Sequence, residues 1–350
     1  MTRLLTILFL TLTASTAFAD ELNAGDTAWI IVSAALVLLM LPGLALFYGG
    51  MVRAKSVLSA LLYSFSALCV GGVTWAVIGF TIAFGESSSP VVGSMKYFML
   101  GGDFMEAMSG TIPLGVFAMF QGMFAIITVA LISGAVVERI KFSAWILFMP
   151  LWIILVYSPI AYWVWGGGWL GSMGALDFAG GTVLHFSSGM AALAIALVLG
   201  NRKDFQKAKI LPHNVTYTVI GAGILWLGWF GFNAGSALAA DQLASLAFVN
   251  TMIAAAAGGM VWMLIEMKAN KPSALGMASG IVAGLVGITP AAGFVEPWAA
   301  LVIGGLAGAI CYWGVTLKFK FKLDDSLDVF GIHGLGGLFG AIATGVFATV

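Results

Sequence analysis

The chain has 350 residues, of which 61% are hydrophobic and only 9% charged, against roughly 25% charged in a typical soluble domain. Its 15 basic and 15 acidic residues cancel, which excludes both the charged surface of a soluble globule this size and the basic excess of a nucleic-acid binder. What remains is a polytopic membrane protein, and 46 glycines without a collagen period suit closely packed membrane helices.

Residues 1–19 carry one basic residue (Arg3), then an apolar run, then Ala17-Phe18-Ala19 before Asp20. This is the pattern of a signal peptide with an A-x-A cleavage site, the alternative being an uncleaved first helix. The expected organisation is therefore a signal peptide at 1–19 and a single transmembrane domain over 20–350. Cleavage leaves Asp20, Glu21 and Asp26 as a short acidic N-terminus outside the cytoplasm.

Charges divide the rest into uncharged windows at 27–52, 56–85, 107–137, 142–176, 178–201, 210–240, 242–265, 272–295, 297–317 and 329–350. Each holds a helix of about 20 residues, enough to cross a bilayer. The window 142–176 also contains a Gly/Trp-rich loop, Trp165-Gly-Gly-Gly-Trp169. With the N-terminus outside, Arg53, Lys55, Arg139, Lys141, Arg202, Lys203, Lys207, Lys209, Lys268, Lys271, Lys318, Lys320 and Lys322 all fall in inner loops. Arg3 leaves with the signal peptide, and Lys96 is the basic residue left outside.

Two sets of five spans make inverted repeats, because five is odd. Gly43-Leu-Ala-Leu-Phe-Tyr-Gly-Gly in span 1 echoes Gly228-Trp-Phe-Gly-Phe-Asn-Ala-Gly in span 6. His185-x-x-x-Gly189 in span 5 echoes His333-x-x-x-Gly337 in span 10.

No charge lies deep in any window, which argues against a carboxylate-based proton pump or a voltage sensor. There is no His-Glu-x-x-His and no Gly-x-Ser-x-Gly. An intramembrane enzyme would need a nucleophile or metal set that two histidines do not provide, so no catalytic residue, metal or cofactor is expected. His185 and His333 sit several residues inside their spans. They read either as two satisfied core histidines or as a proton relay, since imidazole passes a proton between its nitrogens. His213, after Pro212 in a loop, reads as structural or solvated. Cys69 and Cys311 lie in apolar runs and read as buried free thiols. Asp177 opens the fifth span, where it caps backbone N–H groups and its charge shapes the field at the outer mouth. Trp165 in the outer loop, Phe124 in span 3 and Phe232 in span 6 read as packing or belt aromatics. With Ser236 they also compose an aromatic cage for a small cation.

Laid out in order, these segments resemble the Amt/Mep/Rh ammonium transporter family, on its bacterial Amt branch. The resemblance rests on Asp177-Phe-Ala-Gly-Gly-Thr-Val-Leu-His185-Phe-Ser-Ser-Gly-Met-Ala-Ala-Leu ending in Gly200-Asn-Arg202, and on the two echo segments above. Ser245-Leu-Ala-Phe-Val-Asn-Thr251 and Asp328-Val-Phe-Gly-Ile-His-Gly334 also match, so the likeness covers roughly 25–350. It implies an all-α ammonium-transporter fold of two inverted five-helix repeats, assembled as a homotrimer with one pore per subunit in the bacterial inner membrane. It implies that Trp165, Phe124 and Ser236 recruit ammonium, that Phe124 and Phe232 form a stacked gate, and that His185 and His333 line the pore. Asp177 matches the family's aspartate beside the recruitment site. The family's eleventh span and cytoplasmic tail, which help contact the regulatory PII trimer, have no counterpart here before Val350. PII regulation is therefore not expected of this ten-span chain. Phe186-Ser187-Ser188 departs from the small-residue run usual after the first pore histidine. Two rival functions remain: an ammonium sensor or transceptor, and a neutral ammonia or carbon dioxide channel of the Rh type.

Overall fold

The computed structural model describes residues 21–349 apart from 209 and 270. The signal-peptide segment 1–19 lies outside the described residues. Ten long helices follow one another among the described residues: α1 (Ala24–Met51), α2 (Ala54–Phe84), α3 (Leu114–Val136), α4 (142–164), α5 (Gly181–Leu199), α6 (Val215–Gly235), α7 (Gln242–Ala269), α8 (Ala274–Ile288), α9 (Pro297–Lys320) and α10 (Phe330–Phe347). Each overlaps one of the ten uncharged windows, and α1, α2, α7 and α9 run past the bounding charges Asp26, Lys55, Glu266 and Lys318. Among the described residues nine are long and apolar enough to cross a bilayer alone, and α8, at 15 residues, is the exception. Pro290 brings no N–H to the helix ladder and stops α8 early. The buried turn that follows still needs backbone partners at membrane depth. The Asn250 amide donates to Ala292 O and Val295 O, and Phe178 N donates to Pro290 O.

The inverted repeat appears as mirrored contacts. Where α1 crosses α6, Gly43 lies against Leu225 as Gly228 lies against Met40, and Gly50 lies against Thr218 as Gly235 lies against Ser33. The second crossing, α5 with α10, is tighter. Gly189 lies against the Gly334 backbone, while a methyl group on Gly337 would come 2.7 Å from Phe186 N. Only glycine permits that approach from both sides, so the two histidine-bearing helices meet backbone to backbone.

The entries to α5 and α10 share a register. Asp177 accepts from Thr182 N at 2.8 Å, and Asp325 accepts from Phe330 N at 2.7 Å at the same spacing. Gly180 and Asp328, equivalently placed, both take left-handed backbone with φ of 110° and 62°. Glycine adopts this freely, and aspartate is among the few other residues that tolerate it. Each histidine then sits in a π-helical turn, Gly181–Phe186 or Phe330–Gly334, the wide turn that recurs at functional sites. The serines after His185 need no outside partner: Ser187 donates to Val183 O and Ser188 to His185 O. Of the two cysteines, Cys311 is buried, but Cys69 faces outward from α2. An apolar run in a membrane helix does not distinguish the lipid side from the protein side.

One end of the bundle is basic and clamped. Arg53 pairs with Glu138 and Asp204, and Arg202 pairs with Glu138 and Asp324. Arg139 donates to Asp324 O and Ser326 Oγ. Four connections on that side are thereby tied together. Burial alone pushes the Glu138 carboxyl up, but Arg53, Ser56 and Arg202 outweigh it and hold the group at about 2. Its stabilising contribution is full above about pH 4.5 and is lost as pH falls toward 2.

Asp325 behaves oppositely. Burial and then the neighbouring Asp328 charge push its carboxyl up to about 6, against the pull of Lys318 and two backbone N–H groups. The folded state therefore holds this proton more tightly than the unfolded chain, whose value is about 4. Stability falls as pH rises between those two values and stays lower above about 6. Asp325→Asn keeps an oxygen for Phe330 N and removes the charge. Its melting temperature in detergent should lose that slope between about pH 4 and 6 and match or exceed the parent at pH 8. An unaltered slope would assign it to other groups.

Candidate functional site

At the mouth away from the basic loops lies an open cavity of about 870 Å³. Phe124 comes from α3, Trp165 from the turn after α4, and Ser236 from the end of α6, and all three line it. Their local chemistry is set by their own helix ends. The Trp165 indole N–H donates to Asp177 O at 2.8 Å, which pins the ring. The Ser236 hydroxyl donates to Phe232 O at 2.9 Å. Its one proton is thus used, which leaves the oxygen as an acceptor.

Asp177 lies behind this wall. Its carboxylate accepts four backbone N–H groups, from Gly180, Gly181, Thr182 and Val183, at 2.7–3.0 Å. This is the capping expected from its place at the head of α5, and those four bonds occupy the carboxylate. At the head of α1, Asp26 accepts from the Thr111 hydroxyl and from Ala240 N. It thereby ties the small hairpin of β1 (Met108–Ser109) and β2 (Ile112–Pro113) and the segment after Ser236 around the same mouth.

Below the cavity the rings of Phe124 and Phe232 stack, with centroids 4.4 Å apart and planes 26° apart. Both are fully buried and close the floor. The stack continues to His185, 5.9 Å below Phe232 at 22°, and from His185 to His333, 5.2 Å away at 26°. The histidine Nδ1 atoms are 3.2 Å apart. That distance holds one proton: one ring donates and the other accepts, so the neutral pair has complementary tautomers. His185 Nε2 has no hydrogen-bond partner among the described residues. A narrow passage lies beside the pair, walled otherwise by side chains such as Met40, Leu44, Tyr48, Ile127, Leu225 and Val282. No fixed charge lines it. Beyond, at the basic end, a second open cavity of about 1120 Å³ meets Arg202, Lys318 and Asp328.

Trp165, Phe124, Ser236, Phe232, His185 and His333 sit along this one line, and Asp177 braces its wall. His213, set apart in the sequence as structural or solvated, is exposed, and its N–H donates to Val52 O. Sequence reasoning assigned no role to Trp229, although it stands in the Gly228-Trp-Phe segment. Its ring stacks on His185 at 5.4 Å, and its N–H donates to Thr289 Oγ1 at 2.9 Å. Spacing of three residues from Phe232 on one helix was the available signal. Gln121, on the Phe124 face of α3, was also passed over. Among the described residues no group of three His, Cys, Asp or Glu side chains is placed to hold a metal ion.

Comparison with known proteins agrees with this architecture. A family model described as Ammonium Transporter Family matches residues 28–350. An ammonium transporter of Bacillus subtilis is 53% identical over 332 residues, covering 94% of this chain and 81% of that protein. The crystal structure of Saccharomyces cerevisiae Mep2 superposes with a TM-score of 0.89 at 41% identity, over 94% of this chain and 74% of that one. A solved structure titled Sensor Amt Protein gives a TM-score of 0.88 at 29% identity, over 93% and 83%. Helix order, the mirrored crossings and a family model spanning nearly the whole chain lead to one conclusion: this protein is an all-α, multi-pass membrane protein and belongs to the ammonium transporter family.

Proposed function

We propose that the chain carries ammonium inward by recruiting the cation at Trp165, Phe124 and Ser236 and conducting it onward as ammonia. The observation that carries this reading is the unbroken ring stack Phe124–Phe232–His185–His333, with two imidazoles in a passage lined mainly by apolar side chains. Moving a bare ion from water into such a passage costs on the order of 20 kcal/mol by a Born estimate. Aromatic faces return only about 0.5–2 kcal/mol each. Potassium has no way around that deficit. Ammonium does, because it can leave its proton at the Phe124/Phe232 gate and cross as a neutral molecule. The proton passes along the shared His185–His333 hydrogen bond, so the cycle is electrogenic.

The positive-inside asymmetry supports an outer N-terminus and insertion in a bacterial inner membrane, with residues 1–19 as the signal and 20–350 as one domain. A homotrimer with a pore in each subunit follows from the family.

Current and uptake measured together on reconstituted protein test the mechanism. Ammonium uptake should be accompanied by an inward ammonium-dependent current. Ammonia flux without current would remove the relay and favour a neutral-gas channel. Binding without flux would favour a sensor, a reading that the likeness to the sensor structure keeps in view.

A further inference from the structure

Gln121 lies one turn before Phe124 on α3, so both side chains reach the same side, and both line the outer cavity with Trp165 and Ser236. The residue is only 9% exposed. Its Oε1 is buried and accepts no hydrogen bond. As placed, that oxygen is the enclosed end of the amide, while the side chain itself lines the cavity. The nitrogen and oxygen ends of the amide exchange by a half-turn of the terminal torsion. No hydrogen bond of the side chain is broken by that turn, so the carbonyl is free to face the cavity.

We infer that Gln121 is a second hydrogen-bond acceptor for ammonium in the outer cavity, acting beside Ser236. This rests on the recruitment reading above and deepens it. Ammonium carries four N–H donors and no acceptor. Two oxygens, Gln121 Oε1 and Ser236 Oγ, and two ring faces, Trp165 and Phe124, answer all four. Potassium needs a fuller shell of oxygens than two to replace its water. The preference is thus for a small cation bearing several N–H groups. Because the amide is neutral, it orients the ion without holding it by charge, which suits a site that must release onward.

The test uses full-length reconstituted protein with ammonium as the probe. Gln121→Met keeps length and volume and removes the acceptor. The half-saturating ammonium concentration should rise about tenfold, the order expected for one charge-assisted hydrogen bond. Maximal flux and melting temperature should stay at parent values. Ser236→Ala, run in parallel, should give a comparable rise. If Ser236→Ala shifts half-saturation and Gln121→Met does not, the Gln121 inference is overturned and recruitment stands. If Gln121→Met lowers maximal flux and melting temperature together with half-saturation unmoved, Gln121 is a packing residue and the inference is equally overturned. If neither variant moves half-saturation, the recruitment reading falls and takes this inference with it.

Discussion

Replacing both His185 and His333 with alanine should reduce the ammonium-dependent current about a hundredfold or more while ammonia still permeates. The magnitude is that of losing positioned acid–base groups, about 10²–10⁴. The two rings are the imidazoles of the passage, and their Nδ1 atoms, 3.2 Å apart, share one hydrogen bond. Truncation removes both stations at once and leaves a wider apolar cavity. A neutral molecule crosses that cavity, but a proton finds no acceptor there. Current from a supported membrane, paired with stopped-flow alkalinisation of vesicles by ammonia, reads the two fluxes separately. Parent-level current in the double variant would mean that the proton travels elsewhere.

The second large effect belongs to a residue that does not line the passage. Asp177→Ala should abolish most of the folded protein. Four N–H groups, of Gly180, Gly181, Thr182 and Val183, three of them buried, lose their acceptor together. Each orphaned donor costs about 1–3 kcal/mol, and the four rival a typical total stability of about 5–15 kcal/mol. Asp177→Asn keeps one acceptor oxygen and turns an NH2 group toward the remaining donors. It should therefore fold with a lowered melting temperature and a looser turn beneath Trp165, whose indole rests on Asp177 O. The yield of monodisperse protein and its thermal melt decide the matter. An alanine variant with the parent's melting temperature would leave the cap without its assigned weight.

Legibility in the sequence was uneven, and the reason differs by residue. Arg53, Arg139 and Arg202 located the loops because a charge is excluded from hydrocarbon wherever the chain folds. Their mutual clamp through Glu138 and Asp324 was not legible, since partner choice depends on which loops become neighbours. Asp177 was legible as a cap because capping is local. Its equivalence to Asp325 emerged only when both helix entries were seen to share hydrogen bonds and left-handed turns. Cys69 was misplaced because apolar neighbours in sequence do not say whether a helix face meets protein or lipid. Gln121, one turn before Phe124, was not legible as a site residue, since whether a polar side chain lines a cavity depends on the helices packed around it.

The sequence by itself determined that this is a ten-helix membrane chain with a histidine in each of two matched spans, because hydropathy, charge exclusion and capping act over a few residues. Only the tertiary structure decided that Phe124 lies over Phe232 and that His185 meets His333. Those contacts join the two halves of the chain. The histidine contact exists because Gly189 and Gly337 let α5 and α10 cross at backbone distance, and sequence spacing does not encode such an approach.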